Sequence, residues 1–327
     1  MNLVKKSVAH GGILAPLVVP SAFGAMNPSV YVDDAGDILV NIRVVNYTLV
    51  HAENKQLFPS RFGPLTYLHP EADQRLVTEN YLCRLNSQLT ITDSAKVEML
   101  NLHEPIWEFV GLEDARVVQW NGDYFLIGVR RDTTTNGVGR MEYSRVDIDK
   151  ENWAVRELSR TRIPAPGEDN SYCEKNWMPV VDTPYRFVKW SMPTEVIYAS
   201  PDGGCEQLFV RNTLPAPSDQ RGGSQVIRWG NLYIAITHEV NLFKNYLQQK
   251  DAIYRHRLIV WDQQFNFVGL SEPFSFLDAR VEFAVGAAKQ GDDLLISFGF
   301  QDNAAFILRV PHLVVEDLIM EGLRYAS

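Results

Sequence analysis

Cysteine is scarce: Cys83, Cys173 and Cys205 are the only three in 327 residues, far apart and without a Cys-x-x-Cys pair. An odd, scattered set in a chain this long excludes a disulfide framework and a zinc ribbon, and fits a reducing cytoplasm. Long apolar runs are missing too, since none approaches the roughly 18 residues that cross a bilayer as a helix. Basic residues are in deficit, with 31 Lys plus Arg against 40 Asp plus Glu and a formal net charge of −9. That balance excludes a general nucleic-acid or anionic-membrane partner, because phosphate backbones demand clustered positive charge. The seven histidines, His10, His51, His69, His103, His238, His256 and His312, show no His-x-x-x-His spacing, so no metal is expected. Gly222-Gly223 leads into a strand rather than a helix, and Gly-x-Ser-x-Gly is absent, which removes a phosphate loop and an esterase elbow. Helical periodicity is confined to the tail at about 312–323, through Val314, Val315, Leu318, Ile319 and Leu323, with a second short helix expected at 242–250.

What is present is strand. Runs such as Ile38–Val45, Tyr124–Val129 and Leu232–Thr237 are rich in β-branched and aromatic residues. Turn clusters separate them: Asp33–Asp37, Asn121-Gly122-Asp123, Trp229-Gly230-Asn231 and Gln290–Asp293. Apolar residues make up 46 % and aromatics 11 %, the balance of a globular chain. Lys5 and Lys6 before an apolar stretch ending at Ser21–Ala25 draw the outline of a signal peptide. His10, Pro16, Pro20 and two glycines interrupt that outline, so a cytoplasmic chain is expected.

Five segments share one grammar of polar motif, apolar strand, turn and second apolar strand. They begin at Asn27, Glu113, Lys175, Gly223 and Glu282. Start-to-end separations are 16 residues from Asn27 to Arg43, 17 from Asp114 to Arg131, 15 from Lys175 to Trp190 and 15 from Gly223 to His238. Glu282 to Asp302 is looser, at 20. A hairpin of that length returns to where it started, so its two ends lie side by side. Five such hairpins, each the inner half of a four-stranded blade, place their ends around one axis. The expected architecture is all-β: a single five-bladed β-propeller over 1–327 with a short C-terminal helix. At about 65 residues per unit, insertions between blades are expected.

One rim of the channel then presents Asn27, Arg43, Glu113, Asp114, Arg130 or Arg131, Lys175, Asn176, Trp177, His238, Glu282 and Asp302. Carboxylates, cations and aromatics in a funnel suit a sugar, whose hydroxyls need polar partners and whose ring needs an apolar platform. Carboxylates there also supply general acid or base chemistry for a glycosidic bond. Plainer readings stand beside each: Asp114 as a strand-end ion pair with Arg116, His238 as a structural histidine, Arg130–Asp132 as a solvated loop, and Asn27-Pro28 as a turn. Recurrence at equivalent hairpin positions is what favours the site.

The ordered series resembles glycoside hydrolase family 130, the β-mannoside phosphorylases and related β-mannosidases. The matching pieces are Asn27-Pro28, Ile42-Arg43, Gly111–Arg116 (Gly-Leu-Glu-Asp-Ala-Arg), Lys175–Pro179 (Lys-Asn-Trp-Met-Pro), Ala235–Glu239, Tyr254–Asp262, Phe283–Gly286 and Phe298–Asp302, over about 14–310. Ala115 stands where the family usually has Pro, and Glu239 where it commonly has Gly. The resemblance implies a five-bladed propeller and an inverting reaction at a mannosyl C1. Asp114 falls on the general acid, which works in phosphorylases through a sugar hydroxyl that relays the proton. Asn27, Arg43 and Asp302 match positions that hold the mannosyl unit. Lys175 and His238 match phosphate ligands, and Arg130 or Arg131 with Arg145 fill the remaining cationic positions. A phosphate dianion needs several charge-assisted donors, and guanidinium forks suit it. The expected partners are a small oligosaccharide and inorganic phosphate as co-substrate, with no cofactor. The apolar content of 241–250 and of the C-terminal helix offers a homo-oligomer contact. Hydrolysis through a glutamate-activated water (Glu113, Glu239 or Glu282), mannosyl transfer, and a non-catalytic carbohydrate-binding propeller are the competing readings.

Overall fold

The computed structural model describes residues 1–21, 23–49, 58–59, 66–68, 75–166, 172–244 and 250–326. Its strands form five antiparallel blades. Blade one is Gly24–Val32, Ile38–Val45, Leu76–Leu85 and Ile91–Lys96, with a small three-stranded sheet inserted between its second and third strands. Blade two is Glu113–Trp120, Asp123–Arg130, Arg140–Asp149 and Ala154–Arg162. Blade three is Met178–Pro179, Arg186–Trp190, Thr194–Ala199 and Cys205–Arg211. Blade four runs from a split inner strand (Arg221–Gly222, Ile227–Trp229) through Leu232–Lys244 and Lys250–Trp261 to Phe267–Leu270. Blade five is Glu282–Gln290, Asp293–Phe300 and Ala304–Val310, and its outer strand is Ile13–Pro16 from the far end of the chain.

Every expected inner hairpin forms. The Asn121-Gly122 turn has both residues at positive φ, 53° and 88°, the backbone that matches the twist of a tight hairpin. In the first turn Asp33 Oδ1 accepts from the Ala35 and Asp37 amides at 3.0 and 2.9 Å, and Gly36 takes φ 85°.

Five apolar layers separate the blades and account for the continuous hydrophobic runs. Strand Ile38–Val45 is buried on both faces: Leu39 packs with blade two, while Val40, Ile42 and Val44 pack with blade five. Successive layers join blades two and three, three and four, and four and five, so the ring closes. At the axis Gln225 of blade four replaces apolar packing with hydrogen bonds. Its Nε2 lies 3.1 Å from Ser29 Oγ, 3.0 Å from Val30 O and 2.9 Å from Val117 O, and its Oε1 accepts from Ala287 N at 3.0 Å.

Helix α2 (His312–Ala326) is the expected tail, burying Val314, Val315, Leu318 and Ile319 on blades four and five. Gly269 allows its approach, since a Cβ there would sit 2.4 Å from the Gly322 carbonyl carbon. The stretch with the outline of a leader holds α1 (Leu3–Ala9), which is capped by Asn2, buries Leu3 and Val4, and is followed by the strand that completes blade five. One expectation needs correction. At the described ends of the helix expected at 242–250 the chain is strand: 242–244 close Leu232–Lys244, where Phe243 pairs with Asp251, and Lys250 opens the partner strand, while residues 245–249 of that supposed oligomer contact lie outside the described residues. The looser fifth separation arises because Asp302 sits in the turn beyond the strand ending at Phe300. No helix among the described residues is long and apolar enough to cross a membrane.

Candidate active site

The inner strands carry the site through distortions of their own backbone. Bulges interrupt the pairing between Met26 and Ser29 and between Glu113 and Arg116, and at these bulges Asn27 and Asp114 take φ values of 45° and 50°. Asn176 and Asp302, at the same end of blades three and five, take 62° and 51°. Asn and Asp tolerate this left-handed region better than other non-glycine residues, yet each instance costs of order 1–3 kcal/mol. A bulge re-aims a side chain that the pleat would point elsewhere. Gly299 makes room for the first of them, because a Cβ there would lie 2.1 Å from Asn27 Oδ1.

Asp114 Oδ1 accepts from Asn27 Nδ2 and from Arg43 Nη1, each at 2.8 Å. The Arg43 guanidinium also donates to Tyr47 Oη at 2.7 Å, Thr78 Oγ1 at 3.3 Å and Glu113 Oε2 at 3.3 Å. Burial pushes the Asp114 carboxyl up, but the Arg43 charge, with the Asn27 and Arg43 hydrogen bonds, holds it below the usual carboxylate range. Burial acts against the Arg43 cation, and Tyr47, Asp114 and Glu113 outweigh it, so Arg43 stays charged. Arg116 does not pair with the Asp114 carboxylate. Its Nη1 donates to the Asp114 carbonyl at 3.0 Å, and Nε and Nη2 reach Gly223 O at 2.8 and 2.6 Å. Burial brings its pKa down to about 10, and it braces the bulge against blade four.

A cationic arc lies at the same end of the axis. Arg131 Nε lies 3.7 Å from Glu113 Oε1, and its Nη2 approaches Cys173 Sγ at 3.2 Å. Lys175 is exposed and depresses both the Cys173 and the His238 pKa, though burial outweighs it at the thiol. Arg221 pairs with His238 in the sheet and donates to Asp219 at 2.8 Å. His238 is buried, stacked 5.6 Å from the Tyr254 ring and edge-on to Phe283 at 4.7 Å, and its Nδ1 has no hydrogen-bond partner among the described residues. Burial first, then the charges of His256, Arg221 and Lys175, push its pKa well down. His238 is therefore neutral. Asp302 and Asp114 both act on the Tyr254 hydroxyl, which burial and their charges push up to about 12. The structure thus gathers Asn27, Arg43, Glu113, Asp114, Arg131, Lys175, Asn176, His238 and Asp302 at one end of the axis.

Four expected site residues are placed elsewhere. Arg130 cannot share a face with Arg131, because consecutive residues of extended chain point oppositely. Its guanidinium is buried against Glu142 at 2.8 Å and Asp132 at 3.2 Å. Arg145 is paired with Phe125, about 16 Å along the strand from Arg130 at roughly 3.3 Å per residue, and meets Asp123 at 3.5 Å. Trp177 is 1 % exposed and packs in the layer between blades two and three, with its indole N–H donating to Glu174 at 2.9 Å, so it offers no sugar platform. Glu282 is fully buried and accepts from the Phe276, Leu277 and Ala279 amides at 2.7, 2.7 and 3.0 Å, which makes it a loop anchor. Glu239 is likewise occupied, accepting from Ser218, Gln220 and Arg257. Sequence reasoning missed Tyr47, Thr78, Cys173 and Arg221. It also missed Tyr254, which alone carried a signal, in the strand Lys250–Trp261 that pairs with the strand of His238.

Among the described residues no group of three or more His, Cys, Asp or Glu could hold a metal ion. No protein-family profile matches the sequence, and no curated protein does. Solved structures do match in fold. A β-1,2-mannobiose phosphorylase from Listeria innocua, solved with β-1,2-mannobiose, is 14 % identical over 94 % of this chain and 97 % of its own, with a TM-score of 0.54. MPT-4, a mannose phosphorylase from Leishmania mexicana solved with a phosphate ion, is 14 % identical over 94 % and 92 %, at 0.51. MPT-1, a GDP-Man-dependent mannosyltransferase from the same organism, is 12 % identical over 94 % and 93 %, at 0.50. At such identities the likeness is one of fold, and it agrees with the five-bladed ring.

Proposed function

We propose that the chain is an inverting glycoside phosphorylase that cleaves and forms β-mannosides with inorganic phosphate and mannose 1-phosphate. One observation carries the reading: a largely buried carboxylate, Asp114, clamped by Arg43 and Asn27, stands at the same end of the axis as Arg131, Lys175, Arg221 and His238. The neighbours solved with β-1,2-mannobiose and with phosphate support it, as does the family resemblance.

In phosphorolysis a phosphate oxygen attacks the mannosyl C1 from the face opposite the leaving group, and the C1–O bond breaks with inversion. The leaving oxygen receives a proton that Asp114 supplies through a hydroxyl of the mannosyl unit. Synthesis runs the same path backwards, with the Asp114 carboxylate as base. Arg43 holds Asp114 in this basic form in the free protein, so synthesis starts from the resting state and phosphorolysis needs the substrate to shift the proton onto it. Arg131, Lys175 and Arg221 supply charge-assisted donors to the dianion, and His238 a neutral one. Glu113 lies 3.3 Å from Arg43 and 3.7 Å from Arg131, and in this reading it, and not Glu239 or Glu282, is the glutamate that serves the site.

The deciding assay incubates the protein with mannose 1-phosphate and a panel of acceptor sugars, reading phosphate release and product. Asp114→Asn should lower turnover by about 10²–10⁴-fold. Phosphate-independent hydrolysis without phosphorolysis, or mannosyl transfer from GDP-mannose alone, would refute the phosphorylase reading. Undiminished turnover in Asp114→Asn would refute the catalytic assignment.

A further inference from the structure

The layer between blades one and two changes character towards the site. Leu39 and Leu82 of blade one pack there with Leu112, Ala115 and Val117 of blade two. Further along the same two strands the face becomes polar. Asn41 and Arg43 follow Leu39 at intervals of two on Ile38–Val45, so they share its face, and Asn80 lies directly opposite Arg43 on Leu76–Leu85. Asn41 and Asn80 are 0 % and 1 % exposed, and a buried amide is costly unless its groups find partners. These two find each other and the backbone of blade two. Asn41 Nδ2 donates to Asn80 Oδ1 at 2.9 Å and to the Ala115 carbonyl at 3.1 Å, and Asn80 Nδ2 donates to the Leu112 carbonyl at 3.0 Å.

Leu112 and Ala115 stand on either side of Glu113 and Asp114, where the pairing of blade two is interrupted. Between them the Asp114 carbonyl accepts from Arg116 at 3.0 Å. Three of these four consecutive carbonyls thus accept from buried side chains. Asp114 itself holds φ 50°, a conformation that persists only where the surroundings over-determine it. Blade one also supplies Arg43, which holds the carboxylate of the same residue at 2.8 Å. One pair of strands therefore fixes Asp114 at both ends, its backbone through two amides and its side chain through a cation. We propose that Asn41 and Asn80 are positioning residues for the reaction at Asp114, clamping the bulge so that the carboxyl meets the substrate in its working orientation; the inference rests on the reading of Asp114 as the group that gives and takes the proton. Both asparagines are buried, so they act through Asp114.

Asn80→Ala and Asn41→Ala remove the clamp, and Asn80→Ser, which loses less packing, covers an alanine variant that does not fold. Thr194→Ala is the control: it deletes a buried hydrogen bond from Trp261 Nε1 at 2.8 Å, between blades three and four, and leaves the bulge alone. All are assayed with mannose 1-phosphate and the acceptor that the wild type uses best. The expected result is a fall of about 10–100-fold in kcat for the asparagine variants, with KM for mannose 1-phosphate within about twofold of the wild type. Thr194→Ala should keep the wild-type kcat at a similar loss of Tm. In the Asp114→Asn background, Asn80→Ala should lower the residual rate by less than about twofold, since groups that act as one unit are not additive. An unchanged kcat in the folded asparagine variants, an equal fall in Thr194→Ala, or a full additive loss in the Asp114→Asn background overturns the proposal. If the wild type turns over no mannoside, the proposed function fails, and hydrogen exchange of the 111–117 amides then decides the clamp. Exchange about tenfold faster in the asparagine variants than in Thr194→Ala supports it, and equal exchange overturns it.

Discussion

Replacing Arg43 by Met removes a buried charge while keeping the length of the side chain, and the consequence should depend on pH in a calculable way. In the wild type, Asp114 is held below its ordinary value by Arg43. A depressed carboxyl contributes stability that is fully present above the unfolded value of about 3.9 and is lost as pH falls through the lower folded value. Without Arg43 the largest remaining influence on Asp114 is burial, which raises it. The variant therefore carries a buried carboxylate whose cost is relieved as acid protonates it. Breaking a buried pair by removing one partner costs about 3–5 kcal/mol. That gap should hold near pH 7 and narrow by about 1.4 kcal/mol per unit between the raised value in the variant and about 3.9. Urea unfolding of both proteins at about pH 7.5, 6 and 5, with m-values unchanged, reads the gap directly. Parallel stability curves, or a gap that widens on acidification, would show that Arg43 does not govern Asp114.

Gly299→Ala should drive Asn27 away from Asp114, costing about 1–3 kcal/mol by overpacking and lowering turnover further than the fall in Tm explains; thermal unfolding beside steady-state kinetics checks it. Arg131→Ala should raise the phosphate KM by about tenfold or more, matching the roughly 1.5–3 kcal/mol of a charge-assisted hydrogen bond, while Arg145→Ala leaves it unchanged. Equal effects of the two arginines in phosphate titrations would contradict the placement of the arc. Glu282→Gln should cost about 2–3 kcal/mol in denaturant unfolding, because an amide cannot accept all three backbone N–H groups, with substrate KM unaltered.

The sequence made the propeller legible because each inner hairpin is local. Its strands and its turn, such as Asn121-Gly122, lie within about 20 residues of one another. The closing strand Ile13–Pro16 was illegible for the opposite reason: four residues without alternation pair with Ala304–Val310 at the other end of the chain. Residue type picked out Asn27, Asp114, Asn176 and Asp302, the four expected site residues that take left-handed backbone. Register decided the rest. Arg130 and Arg131 are equivalent in composition, and only the pleat separates the one in an ion-pair network from the one beside Glu113. Trp177 looked like a platform because the blade-two side chains of the layer that buries it, such as Ile127 and Met141, are far from it in the sequence. Glu282 looked free because its partners are backbone amides, which no side-chain pattern records.

The Gln225 hydrogen bonds bear on how the ring comes apart. A circle of units that touch only their neighbours has seams, and can open at one of them as a solenoid frays from its ends. Here one amide from blade four is bonded to strands of blades one, two and five, so parting any of those seams leaves buried polar groups exposed at several others. Local opening next to the axis then costs nearly as much as global unfolding. The backbone amides of Val117 and Ala287 should exchange with solvent last, and the protein should melt in a single cooperative step instead of blade by blade.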